Sequence, residues 1–114
     1  MDEPIAPVDP RAALLAERAR VLDELKEIVV EAPGPMTYGS QAAAASHVVE
    51  QQRDLALRDH SEQHLAAIDA ALARLDAGTY GKCTSCHRPI ATERLEARPW
   101  AALCIDCQRA SGRR

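Results

Sequence analysis

The residues best suited to chemistry are four cysteines arranged as two Cys-x-x-Cys pairs. The pairs are Cys83/Cys86 and Cys104/Cys107; they hold every cysteine of the 114-residue chain, and 17 residues separate them. Two intervening residues allow both sulfurs of a pair to reach one metal ion at about 2.3 Å, and the second pair completes a tetrahedron. Because four thiolates fill the coordination shell, the spacing predicts one structural Zn²⁺ and no catalytic metal-bound water.

Two other uses of cysteine pairs fit the sequence less well. Disulfides require an oxidising compartment, whereas the first residues, MDEPIAPVDP, are acidic and proline-rich and lack a secretory apolar segment. A thioredoxin-like redox motif lies within a βαβ unit, but the sequence has no parallel-sheet pattern. His87, directly after Cys86, could substitute for a thiolate, although the four cysteines already make a complete set.

Composition favours long helices over a thick globular core. The chain has no Phe, one Trp and two Tyr, and it is rich in alanine. A bound metal can replace missing core where such a chain becomes irregular. No apolar run is long enough to span a bilayer, so we expect a soluble cytoplasmic protein without membrane contact.

Charge is divided unevenly along the chain. Residues 1–77 carry 14 acidic and 7 basic side chains, whereas residues 78–114 carry 3 acidic and 7 basic ones. Nucleic-acid binding needs a continuous basic face, and an acidic rod with a mildly basic end does not provide one. The distribution favours a protein partner.

Capping residues and apolar repeats predict two long helices. Asp9 and Pro10 suit the start of the first helix, which we expect to reach about Val30. Ser40 is a plausible N-cap for the second, which we expect to end at Ala77 with Gly78 in the left-handed conformation. The first seam contains the heptad-spaced sets Leu14/Val21/Ile28 and Leu15/Leu22/Val29, and the second contains Leu65, Ile68, Leu72 and Leu75.

The expected fold is mainly α: an antiparallel two-helix coiled-coil hairpin, followed by a small C4 zinc module and a short C-terminal helix. The expected divisions are a flexible tail at 1–9, a hairpin at 10–77 with its tip at about 31–40, and the module at 78–114. A turn near residue 36 would place Ile28 level with Ala44, and Leu14 level with Arg58. His47, His60 and His64 are expected on the solvated surface of the second helix.

The segments ALARLDAGTYGKC (71–83), PI (89–90), RLEARP (94–99) and LCIDCQ (103–108), together with Cys86, resemble the DksA/TraR family of bacterial transcription regulators. A weaker match, EQQRDLALRD (50–59), extends the resemblance to about the last two-thirds of the chain. It implies a non-enzymatic regulator whose hairpin enters the secondary channel of RNA polymerase and modulates initiation without specific DNA contact. The alternative is a zinc-stabilised coiled-coil adaptor that binds another protein.

The chain departs from the family pattern at the hairpin tip. The positions of the family's two tip aspartates and the following small residue fall at Ser40, Ala43 and Ala45, in a neutral segment that also contains Thr37 and Tyr38. Basic positions that bind guanosine tetraphosphate in some members are Gln63 and Ala67, which argues against that response.

A docking surface is expected on the zinc module. Arg94, Leu95 and Arg98 lie in an Arg-Leu-x-x-Arg stretch between the cysteine pairs, and we expect all three to face outward and contact the partner. The alternative for this stretch is local packing, with pairing to Glu93 or Glu96.

Overall fold

The computed structural model describes residues 9–28 and 41–112, without the side chains of 41–44. This part of the chain forms α1 (Pro10–Glu27), α2 (Gln41–Ala77), α3 (Thr92–Ala97) and α4 (Ile105–Ser111). The β-structure of these residues is limited to one isolated antiparallel β-bridge, between Lys82 and Pro89. The molecule is elongated, at 67 × 32 × 30 Å, and mainly helical, as predicted. Within the described ranges, no helix is long and apolar enough to cross a membrane.

Helix α1 begins as predicted and ends earlier. The Asp9 side chain accepts a hydrogen bond from the Arg11 backbone N–H at 3.1 Å, and Pro10 occupies the first turn. The helix ends at Glu27, because Ile28 adopts an extended backbone. The consecutive β-branched residues from Ile28 onward have restricted side-chain rotamers in a helix, which favours this earlier end. The predicted end at Val30 lies outside the described residues.

Helix α2 ends in a glycine cap, as predicted. Gly78 has a φ of +78°, its N–H donates to the Leu75 carbonyl at 3.2 Å, and the Thr79 N–H donates to the Arg74 carbonyl at 2.9 Å. These two bonds form a Schellman motif, which satisfies helix-end carbonyls and turns the chain toward the cysteines. The predicted N-cap, Ser40, lies outside the described residues.

The predicted register between α1 and α2 is wrong. Arg11 pairs with Asp76 at 2.6 Å, and Arg18 pairs with Asp69 at 2.7 Å. The helices are therefore antiparallel, as predicted, but Leu14 lies near Ala71, about 20 Å along the helix from Arg58. By the same register Ile28 lies near residue 59 instead of Ala44.

Burial of apolar side chains explains this register. Leu14, Val21, Ile68 and Ala71 are fully buried and form the core cluster. Partly buried side chains pack around it: Leu25, Leu65, Leu72, Leu75, Tyr80 and Trp100. The clean apolar stripe of α2 lies in its C-terminal half, so α1 packs there, whatever position a short turn would have imposed.

Of the two heptad-spaced sets in the predicted α1 seam, the set that begins at Leu14 is the buried one. Leu14 is fully buried, whereas Leu15 is 51% exposed. The N-terminal half of α2 carries further exposed apolar side chains, among them Val48, Val49, Leu55 and Leu57. The core of the described residues therefore lies at the end of the rod that joins the cysteine-containing segment.

Candidate metal centre and the base of the hairpin

A tight turn presents the first cysteine pair. The Cys83 N–H donates to the Arg88 carbonyl at 2.8 Å, and the His87 N–H donates to the Cys83 carbonyl at 3.0 Å. His87 has a φ of +64°, in the left-handed region. The turn folds the chain back after Cys86 and leaves His87 exposed, outside the cluster of sulfurs.

The second pair lies at the start of α4. Cys104 is the N-cap residue, and its Sγ accepts a hydrogen bond from the Cys107 N–H at 3.5 Å. The two cysteine segments are tied together by the Thr84 N–H, which donates to the Ala102 carbonyl at 2.8 Å. Each pair is thus held by its own turn, and one backbone bond links the two turns.

The four sulfurs form one compact cluster. All Sγ atoms lie within 4.8 Å of one another, and those of Cys86 and Cys104 are 3.7 Å apart. A tetrahedral zinc site with Zn–S bonds of about 2.3 Å has sulfur–sulfur edges of about 3.8 Å. The Cys83 sulfur also accepts hydrogen bonds from the N–H groups of Ser85 and Cys86, at 3.4 and 3.5 Å. The arrangement fits one structural zinc ion held by four thiolates.

Local hydrogen bonds give the thiols different acidities. The backbone N–H of Cys86 is the main cause that lowers the pKa of Cys83 to about 6. Hydrogen bonding to Cys104 and then to Cys83 raises the pKa of Cys107 to about 12. Four neighbouring thiolates are mutually repulsive without a cation, and a bound Zn²⁺ supplies the positive charge that keeps all four deprotonated.

A polar–aromatic cluster at the junction of α1, α2 and the Trp100 loop was missed by the sequence prediction. His64 lies 2.8 Å from a Glu17 carboxylate oxygen, and its ring meets the Trp100 ring edge-to-face at 4.4 Å between centroids. Glu17 also accepts hydrogen bonds from Arg20 at 2.8 and 2.6 Å. Chiefly because of Arg20, the pKa of Glu17 is lowered to about 2, so its carboxylate remains charged.

His64 is therefore not a solvated surface histidine, and that expectation is corrected. Its side chain is 19% exposed, whereas His47 and His60 are exposed as expected. The sequence feature that could have indicated this contact is the single tryptophan of a chain without phenylalanine, because such a large side chain must pack against something. Nothing in the helical repeat identified His64 as its partner, since the two are far apart in sequence.

The predicted docking residues differ in exposure. Arg94 is half-buried, and its Nε donates to the Leu103 carbonyl at 3.1 Å. Leu95 is also half-buried, and its Cδ1 lies close to Gly81, within 3.5 Å of a Cβ built there. Arg98 is exposed, whereas Arg94 and Leu95 are partly covered, and the docking role of all three residues stays a prediction. The Arg94 contact holds α3 against the loop that precedes Cys104, and the Leu95 contact lies at the turn around Gly81.

The predicted tip lies largely outside the described residues. Thr37, Tyr38 and Ser40 are not described, and for Ala43 only its helical backbone in α2 is described. Ala45 is an exposed residue of α2. The part played by these five residues stays a prediction.

The match to a family model covers the cysteine-containing segment. Residues 78–111 match the prokaryotic dksA/traR C4-type zinc finger, which identifies the cluster as a site for one structural zinc. This match includes both cysteine pairs, α3 and α4.

Comparisons with whole proteins extend the similarity to the helices. The chain is 34% identical over 95 residues to "RNA polymerase-binding transcription factor DksA" of Haemophilus influenzae, covering 83% of this chain but 61% of that protein's length. It is 33% identical over 102 residues to the protein of the same name from Caulobacter vibrioides, covering 89% of this chain and 72% of the relative. The solved structure of transcription factor DksA2 from Pseudomonas aeruginosa matches with 32% identity and a TM-score of 0.55, over 89% of this chain and 73% of that one. The chain is a member of the DksA/TraR family.

Proposed function

We propose that this protein is a cytoplasmic, non-enzymatic transcription regulator that binds RNA polymerase through the secondary channel and modulates initiation. The observation that carries the proposal is the similarity to proteins named as RNA polymerase-binding transcription factors, which spans 89% of this chain for the Caulobacter relative. The metal centre supports a binding role, because four cysteines leave no ligand position for a reacting water.

The shape of the described residues supports insertion into a narrow opening. α1 packs on the C-terminal half of α2, and residues 41–58 of α2 extend about 27 Å beyond the level of Ile28. The zinc module lies at the opposite end, where it can dock on the channel rim while the hairpin enters. Specific DNA recognition is not part of the proposal, because α2 is an acidic helix and offers no basic face for the major groove.

Direct binding to purified RNA polymerase core tests the proposal. We expect saturable binding of the full-length protein, reduced by a protein fragment that is known to occupy the secondary channel. Cleavage by Fe²⁺ substituted at the polymerase active site should then cut the chain near residues 37–46. Absence of saturable binding would reject the proposal and leave the coiled-coil adaptor as the better reading. Saturable binding that shows neither competition nor cleavage near residues 37–46 would reject insertion of the hairpin into the secondary channel.

Arg98 is the most exposed candidate for docking on the channel rim. Replacing it with alanine should weaken polymerase binding about threefold to fivefold, because an exposed charge contact is worth up to about 1 kcal/mol. Zinc content and thermal stability should stay unchanged, since Arg98 is exposed. Lys26→Ala is the matched control, because it removes one exposed positive charge from α1. Equal losses of affinity in both variants would show a general charge effect instead of a docking contact.

A neutral tip should make this protein a weak modulator of open complexes. Without carboxylates, residues 37–46 can act in the channel by occupying space but not by charge. We expect Ser40→Asp combined with Ala43→Asp to increase the effect on open-complex half-life on the order of tenfold, equal to about 1.4 kcal/mol, at similar affinity. The measurement uses a promoter with short-lived open complexes and saturating protein.

The charge itself needs a control at another place on the same helix. Ala66→Asp combined with Ala70→Asp adds the same charge at exposed positions near the base of the hairpin. This variant should behave like the wild type. If the wild type already shortens the half-life as strongly as the tip variant, carboxylates at the tip are dispensable.

Guanosine tetraphosphate should add little to the effect on open complexes, since Gln63 and Ala67 carry no charge that could bind its phosphates.

A further inference from the structure

The zinc module meets the hairpin at the cluster of Glu17, Arg20, His64 and Trp100, which we call the clasp. Its members come from three segments: α1, α2 and the loop between α3 and the second cysteine pair. His64 contacts Glu17 at 2.8 Å on one side and the Trp100 ring at 4.4 Å on the other. One histidine of the long helix therefore links the first helix to the zinc module.

The loop that carries Trp100 is fixed on both sides. The Tyr80 hydroxyl donates to the Pro99 carbonyl at 2.9 Å. On the other side the Ala102 carbonyl accepts from the Thr84 N–H, within the turn of the first cysteine pair. The position of Trp100 is therefore set by the same backbone that holds the metal ligands.

Glu17 is fixed in a comparable way on the hairpin. Arg20, one turn along α1, donates hydrogen bonds to both carboxylate oxygens of Glu17. The oxygen that contacts His64 therefore has a defined position. A second link from α2 to the loop, from Arg74 to the Ala101 carbonyl, is long at 3.4 Å. Among the described residues, the edge-to-face contact and this long hydrogen bond are thus the directional contacts between hairpin and module, beside the less directional apolar packing of the core cluster.

We propose that His64 and Trp100 are positioning residues that fix the angle between the hairpin and the zinc module. The importance of this angle rests on the proposed function, in which the module docks at the channel rim while the hairpin reaches inward. From His64 to Gln41, α2 is about 35 Å long, so a rotation of about 10° at the clasp displaces its far end by about 6 Å. A displacement of that size would separate the tip from any site that it must reach.

The angle can be measured without polymerase. Nitroxide labels on p-acetylphenylalanine at Gln52 and Arg109, both exposed, leave the cysteines free for zinc. Pulsed electron paramagnetic resonance of the zinc-loaded full chain should give one narrow distance distribution for the wild type. His64→Ala should broaden it, because an aromatic pair favours its geometry by about two- to tenfold over the alternatives. His60→Ala should leave the distribution narrow, because His60 is an exposed histidine one turn away from the contact.

A conservative change at the partner separates positioning from folding. Trp100→Phe retains an aromatic face and should keep most of the narrow distribution, whereas Trp100→Ala should broaden it as His64→Ala does. Zinc content should remain one per chain in His64→Ala, since His64 is not a ligand. A distribution in His64→Ala as narrow as that of the wild type would overturn the proposal.

Polymerase binding then tests the consequence of the angle. If His64→Ala broadens the distribution and weakens polymerase binding more than His60→Ala, the clasp positions the two parts for binding. A broadened distribution with unchanged affinity would overturn its role in positioning for polymerase. If the wild type itself fails to bind polymerase, the proposed function fails, and the distance measurement still decides whether the clasp sets the angle.

Discussion

Removing zinc is expected to unfold the cysteine-containing segment and leave most of the hairpin helical. Structural zinc in small zinc-finger peptides contributes about 10–16 kcal/mol of apparent binding free energy at neutral pH. The segment from 78 to 111 has little apolar core of its own; in its described residues the fully or nearly buried side chains are Cys83, Ile90 and Ala101. Without the metal, nothing of comparable strength holds its two cysteine turns together.

Two signals measure this outcome in the full-length protein. α3 and α4 contribute 13 of the 68 described helical residues, so chelation should reduce helical circular dichroism by about one-fifth. Trp100, the single tryptophan, packs against His64 and should change its fluorescence as the loop is released. Added zinc should restore both signals. A loss of more than half of the helical signal would show that hairpin and module fold as one unit.

Substitution of one ligand provides an independent version of the experiment. Cys104→Ser should lower the zinc content of freshly purified, reduced protein well below one per chain and reproduce the spectroscopic changes. His87→Asn is the control, because asparagine tolerates the left-handed backbone of this position and carries no imidazole. Its zinc content should stay at one per chain. A loss of zinc in His87→Asn would make His87 a ligand and the four-cysteine set incomplete.

Features governed by local chemistry were predictable from the sequence. The Asp9 cap, the left-handed turn at Gly78 and the convergence of the cysteine pairs depend on a few neighbouring residues. In each case one residue type suits one backbone geometry or one metal geometry. The sequence therefore determined the metal centre almost completely.

The register of the hairpin was not predictable in the same way. Leu14/Val21 and Leu15/Leu22 repeat with the same period, and alanine-rich helices offer several nearly equivalent seams. Only the complete set of contacts, including Arg11 with Asp76 and the Trp100 loop, favours one register. Contacts between residues far apart in sequence decided the position of α1, just as they decided the surroundings of His64.

The register has a direct test, because two adjacent leucines of α1 should respond differently to the same substitution. Leu14 is fully buried against α2, whereas Leu15 is 51% exposed. Leu14→Ala should lower the free energy of unfolding by about 2–4 kcal/mol, since it removes buried methyl groups and leaves a cavity. Leu15→Ala should change it by less than about 1 kcal/mol, because alanine is an equally good helix former and little buried surface is lost.

Urea unfolding of the zinc-loaded protein, followed by circular dichroism, measures both changes. The core cluster has few fully buried members, so the cavity at Leu14 should shift the midpoint of the transition clearly and leave zinc content at one per chain. Ile68 lies on the facing side of the same cluster. The losses in free energy of unfolding from Ile68→Ala and Leu14→Ala should therefore be less than additive, because the two residues share one packing site. In the register first expected from a short turn, Leu14 would face the polar stretch around Arg58 and its loss would matter little. A Leu14→Ala variant as stable as Leu15→Ala would therefore reject the packing of α1 on the C-terminal half of α2.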